Sequence, residues 1–179
     1  MPSERFEDFV DPVDGTKEFL RRSGEFTVNI ALIENGVPIL GVVTAPAIKR
    51  GFRACGPKTA EQRGADNVWQ PISVLAIPPE GAVVVSSRSH GDRDQLEALL
   101  KGMKIQGHVT SGSSLKFCLV ATGEADFYPR YGPTSEWDTA AGHAVLIGAG
   151  GSVRLLDGPD LPYAKPGWLN PEFLGRGAE

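Results

Sequence analysis

A β-hairpin signal in the first quarter of the chain constrains the fold most strongly. Two strand-like runs, Phe26–Ile33 and Pro38–Ala45, are separated by the turn sequence Glu34-Asn35-Gly36. Asn-Gly is the dipeptide most typical of tight hairpin turns. A third apolar run over Phe52–Cys55 extends the hairpin into a meander. The first part of the chain is therefore predicted to fold around an antiparallel sheet.

The pattern changes after a polar and poorly periodic stretch, Lys58–Gln70. Strands and helices then alternate, which is typical of a layered α/β lobe. The elements predicted in this half are the strand Ala82–Ser86, the helix Asp92–Leu100, the strand Lys104–Val109, the helix Leu115–Ala121, the strand Ala125–Tyr128, the helix Asp138–Gly148 and a last strand, Ser152–Leu155. The Pro-rich tail from Gly158 is predicted to be mostly irregular. We therefore divide the chain into the remainder of an N-terminal α+β lobe, residues 1–57, and a C-terminal α/β lobe, residues 58–179.

Composition and charge exclude several classes of protein. The net charge is −4 and no run of Lys or Arg is present, which argues against a surface for polymeric nucleic acid. No apolar run approaches the roughly 18 residues of a membrane span, and the first ten residues do not resemble a secretion signal. Cys55 and Cys118 lack C-x-x-C spacing and are interpreted as free thiols in a reducing compartment, with Cys118 in the core. We therefore expect a cytoplasmic protein.

The segment Asp11-Pro12-Val13-Asp14-Gly15-Thr16 carries the strongest chemical signal. It follows an apolar run that is predicted to be a short strand ending at Asp11-Pro12, and it opens a short helix predicted over Gly15–Arg22. Two carboxylates three residues apart, with the Val13 carbonyl between them, form an oxygen set that suits Mg²⁺. The N–H groups of Gly15 and Thr16 at the start of the helix suit a phosphate. The same dipeptides, Asp-Pro and Asp-Gly, are also common in ordinary turns.

A second segment, Glu136-Trp137-Asp138-Thr139-Ala140-Ala141-Gly142, begins the last predicted helix. Its small residues permit close packing, and Asp138 stands where the helix should begin. An aspartate in this position is often a plain N-cap. A carboxylate brought from a distant part of the chain is also what a two-metal site needs as a further ligand. The histidines His90, His108 and His143 show no metal-ligand spacing and are interpreted as structural or surface residues.

Together the two segments resemble the signature pair of the inositol monophosphatase superfamily, Asp-Pro-x-Asp-Gly-Thr followed by Trp-Asp-x-Ala-Ala-Gly. Further stretches are similar to the 3′(2′),5′-bisphosphate nucleotidase (CysQ-type) branch, namely residues 17–19, 24–33, 87–90, 112–117 and 126–130. The resemblance runs from about Phe9 to Gly151. It implies the α/β fold of this superfamily, an α+β layered sandwich of the inositol monophosphatase/fructose-1,6-bisphosphatase type.

The resemblance also implies a metal site and a reaction. Asp11 would bridge two Mg²⁺ ions, and Asp14 and Asp138 would complete the second metal site. The Val13 carbonyl would contribute to the first. The implied reaction is hydrolysis of adenosine 3′,5′-bisphosphate to AMP and phosphate, with a small phosphorylated nucleotide as the binding partner. Nothing in the sequence specifies an oligomeric state.

Substrate contacts are implied as well. Gly15 and Thr16 would contact the phosphate, and the Thr16 hydroxyl would orient the attacking water. Lys116 or Arg130 would meet the second phosphate of a bisphosphate. Each of these two cations has an ordinary alternative, Lys116 as a solvated helix residue and Arg130 as a loop charge. The residues expected to surround the substrate are Val13, Asp14, Gly15, Thr16, Lys116, Arg130 and Asp138.

The superfamily pattern also includes a glutamate, usually in a Glu-Glu pair, well upstream of the aspartate segment. Glu4, Glu7 and Asp8 are too close to Asp11 to match it. We therefore expect an N-terminally truncated chain that lacks the first helices and strands, with weaker metal binding and weaker water activation. Two alternative functions stay open. One is an inositol monophosphatase or sugar phosphatase, which uses the same chemistry, and the other, supported by the missing glutamate, is a non-catalytic metal- or nucleotide-binding fragment.

Overall fold

The computed structural model describes residues 5–87, 96 and 98–178. Its strands are β1 (Phe6–Asp14), β2 (Thr27–Glu34), β3 (Val37–Ala45), β4 (Arg50–Cys55), β5 (Glu61–Arg63), β6 (Trp69–Pro71), β7 (Ala82–Ser86), β8 (Ile105–Thr110), β9 (Phe127–Arg130), β10 (Thr134–Ser135), β11 (Ser152–Leu155), β12 (Leu169–Asn170) and β13 (Phe173–Arg176). Its helices are α1 (Thr16–Leu20), α2 (Leu115–Ala121) and α3 (Glu136–Gly148), with a 3₁₀ turn at Pro46–Ile48.

The first sheet is an antiparallel meander in which β1 to β6 lie side by side in chain order. Its central hairpin joins β2 to β3 through Asn35 and Gly36, whose φ angles of 51° and 81° are both positive. Positive φ at both central residues is the requirement of a type I′ turn, which matches the twist of the flanking strands. The hairpin predicted from Glu34-Asn35-Gly36 is therefore confirmed.

The second sheet has five strands in the order β11, β13, β9, β7 and β8. β7 pairs in parallel with both β8 and β9, whereas β13 pairs antiparallel with β9 and with β11. A small two-stranded ladder of β10 and β12 joins the start of α3 to the C-terminal segment. The layered α/β architecture expected from the sequence is confirmed.

Helix α3 lies between the two sheets and is the centre of the core. It contacts β2 and β3 of the first sheet, and it also contacts α2, which packs against β7 and β9 of the second sheet. Small residues make this close packing possible. A Cβ atom added to Gly41 would lie 2.3 Å from the Ala141 carbonyl oxygen, and one added to Gly142 would lie 2.5 Å from the Phe117 ring. The Ala- and Gly-rich sequence of α3 is thus explained by contact on both sides.

The opposite face of the first sheet carries apolar side chains that are exposed to solvent. Val10 is 57% exposed and Ile30 is 46% exposed, and the two residues face each other across β1 and β2. On β2 the residues that alternate with Ile30, including Ala31 and Ile33, are buried against the core. The first sheet is therefore covered on one face only by the described residues.

Three sequence predictions need correction. The first strand does not end at Asp11-Pro12 but continues to Asp14, because β1 is an edge strand with an irregular register, where a proline is tolerated. The polar stretch 58–70 contains β5 and β6, so the first sheet continues to Pro71. These two strands have three residues each, too few to show a period. The division at residue 57 stays a prediction about domains, but it does not coincide with the edge of the sheet.

The C-terminal tail is the third correction. Ser152–Leu155 is not the last strand, because β12 and β13 follow it, and β13 occupies a central position in the second sheet. Its sequence, Phe-Leu-Gly-Arg, has little intrinsic strand preference, so its conformation is set by pairing with β9 and β11. The helix predicted over Asp92–Leu100 lies largely outside the described residues. None of the helices in the described ranges is long and apolar enough to cross a membrane.

The contact between β3 and α3 leads to a stability prediction. We expect Gly41→Ala to lower the free energy of unfolding by about 1–3 kcal/mol, the usual cost of overpacking a core, because the new methyl group would meet the Ala141 backbone. Urea unfolding measures this change. Gly107→Ala on β8 is the matched control, since its added Cβ has nothing within 4 Å. Equal losses in the two variants would contradict the proposed contact.

Candidate metal and phosphate site

An irregular register at the end of β1 brings two carboxylates to the same side of the sheet. Asp11 faces Asn29 on β2, whereas Asp14 faces Thr27. Three steps along β1 therefore match only two steps along β2, so β1 contains one extra residue, as in a β-bulge. In a regular strand, residues three apart point to opposite faces. The extra residue removes this alternation and lets Asp11 and Asp14 converge.

Asp14 is held by donors from two distant parts of the chain. Its Oδ2 atom accepts hydrogen bonds from the backbone N–H of Ser114 (2.6 Å), the Thr27 hydroxyl (3.2 Å) and the Asn29 side-chain amide (3.3 Å). Thr27, Asn29 and Ser114 are themselves buried; the Ser114 hydroxyl donates to the Asn29 side-chain oxygen at 2.7 Å, and the Thr27 and Ser114 hydroxyl oxygens lie 2.9 Å apart. All three bonds end on the same oxygen of Asp14. The orientation of this carboxylate is therefore fixed, while Oδ1 takes no part in these bonds.

Asp138 is presented by the first turn of α3. Its Oδ2 accepts the backbone N–H of Ser135 at 2.7 Å as part of a capping box, so Asp138 is the third residue of the helix and not its N-cap. The Asp138 side chain also reaches the other two aspartates. One carboxylate oxygen from each of Asp11, Asp14 and Asp138 lies within 4.8 Å of the others. Residues far apart in the sequence are thus gathered into one cluster.

Electrostatics makes this cluster unfavourable without a cation. Burial raises the pKa of all three carboxyl groups above the ordinary value, and that of Asp14 rises to about 6. The Lys116 ammonium lowers the pKa of Asp14, while the charges of Asp138 and Asp11 raise it. Hard divalent cations prefer oxygen ligands, carboxylates among them, and this cluster offers three carboxylates close together. The residues present therefore fit a divalent metal ion.

The start of α3, and with it Asp138, is fixed by a buried polar network. Glu136 is 0% exposed and accepts the backbone N–H groups of Ala164 (2.8 Å) and Lys165 (3.0 Å), and it forms an ion pair with the Lys165 ammonium. Asn170 donates to the Ser135 carbonyl and to the Thr139 hydroxyl, both at 2.9 Å. The C-terminal segment thus clamps the turn that carries Asp138.

A pocket of about 170 Å³ opens beside the aspartates. The residues that line it are Asp14, Gly15, Lys17, Glu18, Ser87, Ser111, Gly112, Ser113, Lys116, Tyr128, Arg130, Thr134, Asp138 and Thr139. Five of the residues predicted from the sequence as substrate contacts therefore lie around one cavity. Val13 and Thr16 are not among these residues; both are exposed, and their predicted roles stay predictions. Gly15 has a positive φ of 84°, which favours glycine at this turn.

Lys116 is a buried cation on the pocket wall and not a solvated helix residue. It is 4% exposed, its ammonium donates to the Ser113 carbonyl at 2.5 Å, and it lies 5.3 Å from the centre of the Tyr128 ring. Burial lowers its pKa to about 8, although the Asp14 carboxylate acts in the opposite direction. The interpretation as a surface charge is therefore wrong, because the side chain points inward from α2.

Arg130 is the last residue of β9 and not a free loop charge. Its guanidinium donates to the carbonyls of Gly132 (3.0 Å) and Pro133 (3.1 Å) and to the Ser87 hydroxyl (2.9 Å). Two of these bonds hold the segment between β9 and β10 against the Arg130 side chain. The Arg130 charge also lowers the pKa of Asp138. Arg130 thus shapes the pocket and contributes positive charge to it.

Sequence reasoning missed the residues that hold the aspartates in place. Thr27 and Asn29 had a detectable signal, because they are polar residues in the buried phase of an otherwise apolar strand. Glu136 had a weaker signal as a charged residue next to Asp138. Ser114 lies in the stretch 112–117 that is similar to the nucleotidase branch, but its sequence did not indicate that its hydroxyl donates to Asn29 or that its backbone N–H donates to Asp14. Asn170 had no signal in the sequence, because its importance depends on a tertiary contact made by the C-terminal tail.

The raised pKa of Asp14 predicts how the stability of the metal-free protein depends on pH. Between the ordinary value of 3.8 and about 6 the folded chain binds more protons at Asp14 than the unfolded chain does, so stability falls as the pH rises. Lowering the pH from about 7 to about 5 should therefore raise the free energy of unfolding of the wild-type chain through protonation of Asp14. We expect this rise to be smaller in Asp14→Asn, because asparagine cannot be protonated there. Urea unfolding in the presence of a chelator measures this difference.

Asp8→Asn is the matched control, because Asp8 is an exposed aspartate on the same strand. It should keep the pH dependence of the wild-type chain. An Asp14→Asn variant with the same pH dependence as the wild-type chain would contradict the raised pKa.

Comparisons with known proteins show the family to which the chain belongs. A family model described as "Inositol monophosphatase family" matches residues 3–175. The protein named "3'(2'),5'-bisphosphate nucleotidase CysQ" of Salmonella typhimurium is 51% identical over 166 residues, which cover 92% of this chain and 65% of that protein. The protein of the same name from Escherichia coli K12 is 51% identical over 168 residues with the same coverage. The chain thus spans slightly less than two thirds of the length of these relatives.

Solved structures show the same relationship. The crystal structure of CysQ from Bacteroides thetaiotaomicron, described as a bacterial member of the inositol monophosphatase family, superposes with a TM-score of 0.85 at 39% identity, covering 97% of this chain and 70% of that chain. An inositol monophosphatase from Anabaena gives a TM-score of 0.77 at 28% identity, covering 97% and 67%. With the family model matched over almost its whole length, the chain belongs to the inositol monophosphatase family.

Proposed function

We propose that the chain carries the active site of a Mg²⁺-dependent phosphomonoesterase that hydrolyses the 3′-phosphate of adenosine 3′,5′-bisphosphate to AMP and phosphate. The observation that carries this proposal is the convergence of Asp11, Asp14 and Asp138 beside a pocket that also contains Lys116 and Arg130. The 51% identity to proteins named 3'(2'),5'-bisphosphate nucleotidase supports the choice of substrate.

The three aspartates would hold the metal ions, with Asp11 between two of them and Asp14 and Asp138 on the second. The Val13 carbonyl would add a neutral oxygen to the first. Bound magnesium would supply positive charge that stabilises the phosphoryl group and activates water. The protein's own contribution is positioning, because the hydrogen bonds of Ser114 and Ser135 already orient Asp14 and Asp138.

The phosphate to be removed would lie at the start of α1. Gly15 and Thr16 would donate backbone N–H groups to it, and the Thr16 hydroxyl would orient the attacking water. Gly15 lines the pocket beside Asp14, and its left-handed conformation turns the chain from β1 into the helix. Donors that are already in place when charge develops contribute the largest share of such catalysis.

The second phosphate of a bisphosphate substrate would meet Lys116 and Arg130. The pKa of about 8 for Lys116 leaves this ammonium mostly protonated at neutral pH, and only one of its three N–H donors is used by Ser113. Arg130 uses three of its five N–H donors on Ser87, Gly132 and Pro133. Both residues line the pocket, so their remaining donors offer charge-assisted bonds to a phosphate.

An inositol monophosphatase activity is the second candidate. The 28% identity and TM-score of 0.77 to the Anabaena inositol monophosphatase favour it. Lys116 and Arg130 argue for the nucleotidase, because inositol 1-phosphate has no second phosphate to occupy them. A non-catalytic metal- or nucleotide-binding role is a third candidate, which the assay below distinguishes from the other two.

Phosphate release from adenosine 3′,5′-bisphosphate and from inositol 1-phosphate, measured side by side with Mg²⁺, tests the proposal. We expect the 179-residue chain to prefer the bisphosphate. Asp14→Asn should lower the rate by about two orders of magnitude or more, the usual effect of removing one electrostatic contributor, whereas Asp8→Asn should not. Preference for inositol 1-phosphate would favour the second candidate. Magnesium binding without phosphate release would favour the third.

Replacing Lys116 by methionine tests the site of the second phosphate. We expect Lys116→Met to raise KM for adenosine 3′,5′-bisphosphate about tenfold, the effect of losing one charge-assisted bond. KM for adenosine 3′-monophosphate should change little, because this substrate lacks the 5′-phosphate. Steady-state kinetics with both substrates measures the difference. An equal change in KM for the two nucleotides would contradict the assignment of Lys116.

A further inference from the structure

A second cavity lies further along α3, beside its C-terminal half, and shares no lining residue with the pocket beside the aspartates. Its volume is about 430 Å³, which lies within the range of small-molecule sites, about 300–1,000 Å³. It opens between the β2–β3 turn, the middle of α3 and the start of β11. The apolar part of its wall includes Val37, Pro38, Ile147, Val153 and Leu161.

His143 contributes a buried polar group to this wall, and its protonation state follows from a chain of hydrogen bonds. Thr139 uses its single hydroxyl proton on the Glu136 carbonyl at 3.1 Å. Tyr163 must therefore donate to Thr139 (3.2 Å), and the His143 Nδ1 atom must in turn donate to the Tyr163 hydroxyl (3.0 Å). The proton of the neutral imidazole is thus on Nδ1, and Nε2 is an acceptor.

The Nε2 atom of His143 is available to a ligand. The His143 side chain is 2% exposed, and burial lowers its pKa to about 3, so the ring is neutral at physiological pH. In the described part of the chain only Nδ1 of this ring has a hydrogen-bond partner. Among the described residues, two side-chain atoms are both fully buried and without a hydrogen-bond partner, Glu7 Oε2 and Arg176 Nε. His143 Nε2 also has no partner but is not one of these two atoms, so it is not fully buried. Nε2 is therefore open to the cavity whose wall the ring forms.

The charges around the cavity restrict what it can bind. Among its described lining residues the one charged side chain is Asp160, which is 85% exposed and paired with Arg154. With no cation on the wall and a neutral imidazole at its base, the cavity does not favour an anion such as a phosphorylated nucleotide. An uncharged apolar molecule with one donor satisfies both the apolar wall and Nε2.

We propose that this cavity is a separate binding site for a small uncharged molecule. The apolar body of the molecule lies against Val37, Ile147 and Leu161, and one hydroxyl group donates to His143 Nε2. The site is distinct from the proposed phosphatase site, because the two cavities share no lining residue.

The test compares two probes that differ in one donor, 2-naphthol and 2-methoxynaphthalene, by calorimetric titration of the whole chain. We expect saturable binding of 2-naphthol and about three- to tenfold weaker binding of the methoxy compound, since one hydrogen bond contributes about 0.5–1.5 kcal/mol. In ¹⁵N spectra of the histidines, the Nε2 signal of His143 should shift with 2-naphthol and stay in place with the methoxy compound. Equal affinities, no saturable binding, or no shift of Nε2 would overturn the proposal.

Two variants locate the site. His143→Asn places an amide nitrogen near the position of Nδ1, which keeps the bond to Tyr163, but removes the acceptor at Nε2. It should bind both probes equally, with the lower affinity of the methoxy compound. Ile147→Trp fills the cavity from a partly exposed helix position and should abolish binding of both. If a folded Ile147→Trp variant bound the probes as well as the wild-type chain does, the probes would bind elsewhere and the assignment would be overturned. The comparison of the two probes on the wild-type chain tests the proposal even if neither variant folds.

Discussion

The burial of three clustered aspartates is the constraint on which the arrangement around the site depends. Asp11, Asp14 and Asp138 come from the edge of one sheet and from the helix beneath it, and their oxygens lie within 4.8 Å of one another. Burial raises the pKa of all three carboxyl groups, and the like charge of neighbouring aspartates raises it further at Asp11 and Asp14. The cluster persists because the surrounding protein over-determines the position of each carboxylate.

Two sets of buried polar residues provide this support, one for each side of the cluster. Thr27 and Asn29 on β2 fix Asp14 together with Ser114 at the start of α2, while Glu136 and Asn170 fix the helical turn of Asp138. In each set, buried donors and acceptors that would otherwise be unsatisfied in the core pair with one another. The polar residues of the core are therefore concentrated around the site, and the remaining core is formed by small and apolar side chains packed about α3.

Much of this could be predicted from the sequence, and the exceptions share a physical cause. The β2–β3 hairpin was predictable because Asn35-Gly36 specifies a turn type locally, and the three aspartates because they stand in two recognisable segments. Strand β13 could not be predicted, because its conformation comes from pairing with β9 and β11 and not from its own composition. The burial of Lys116 was missed for a similar reason, since the wall that encloses it comes from β9 and from the turn before α2.

The position of β13 has a consequence for how the molecule is assembled during synthesis. The first sheet pairs neighbours in chain order and can form as its strands emerge from the ribosome, since local contacts form fastest. The second sheet cannot close until residues 173–176 are available to fill the gap between β9 and β11. Asn170, just before them, completes the clamp on the turn of Asp138. A nascent chain therefore acquires its hairpin early, but the aspartate cluster becomes rigid only after this C-terminal segment has been made.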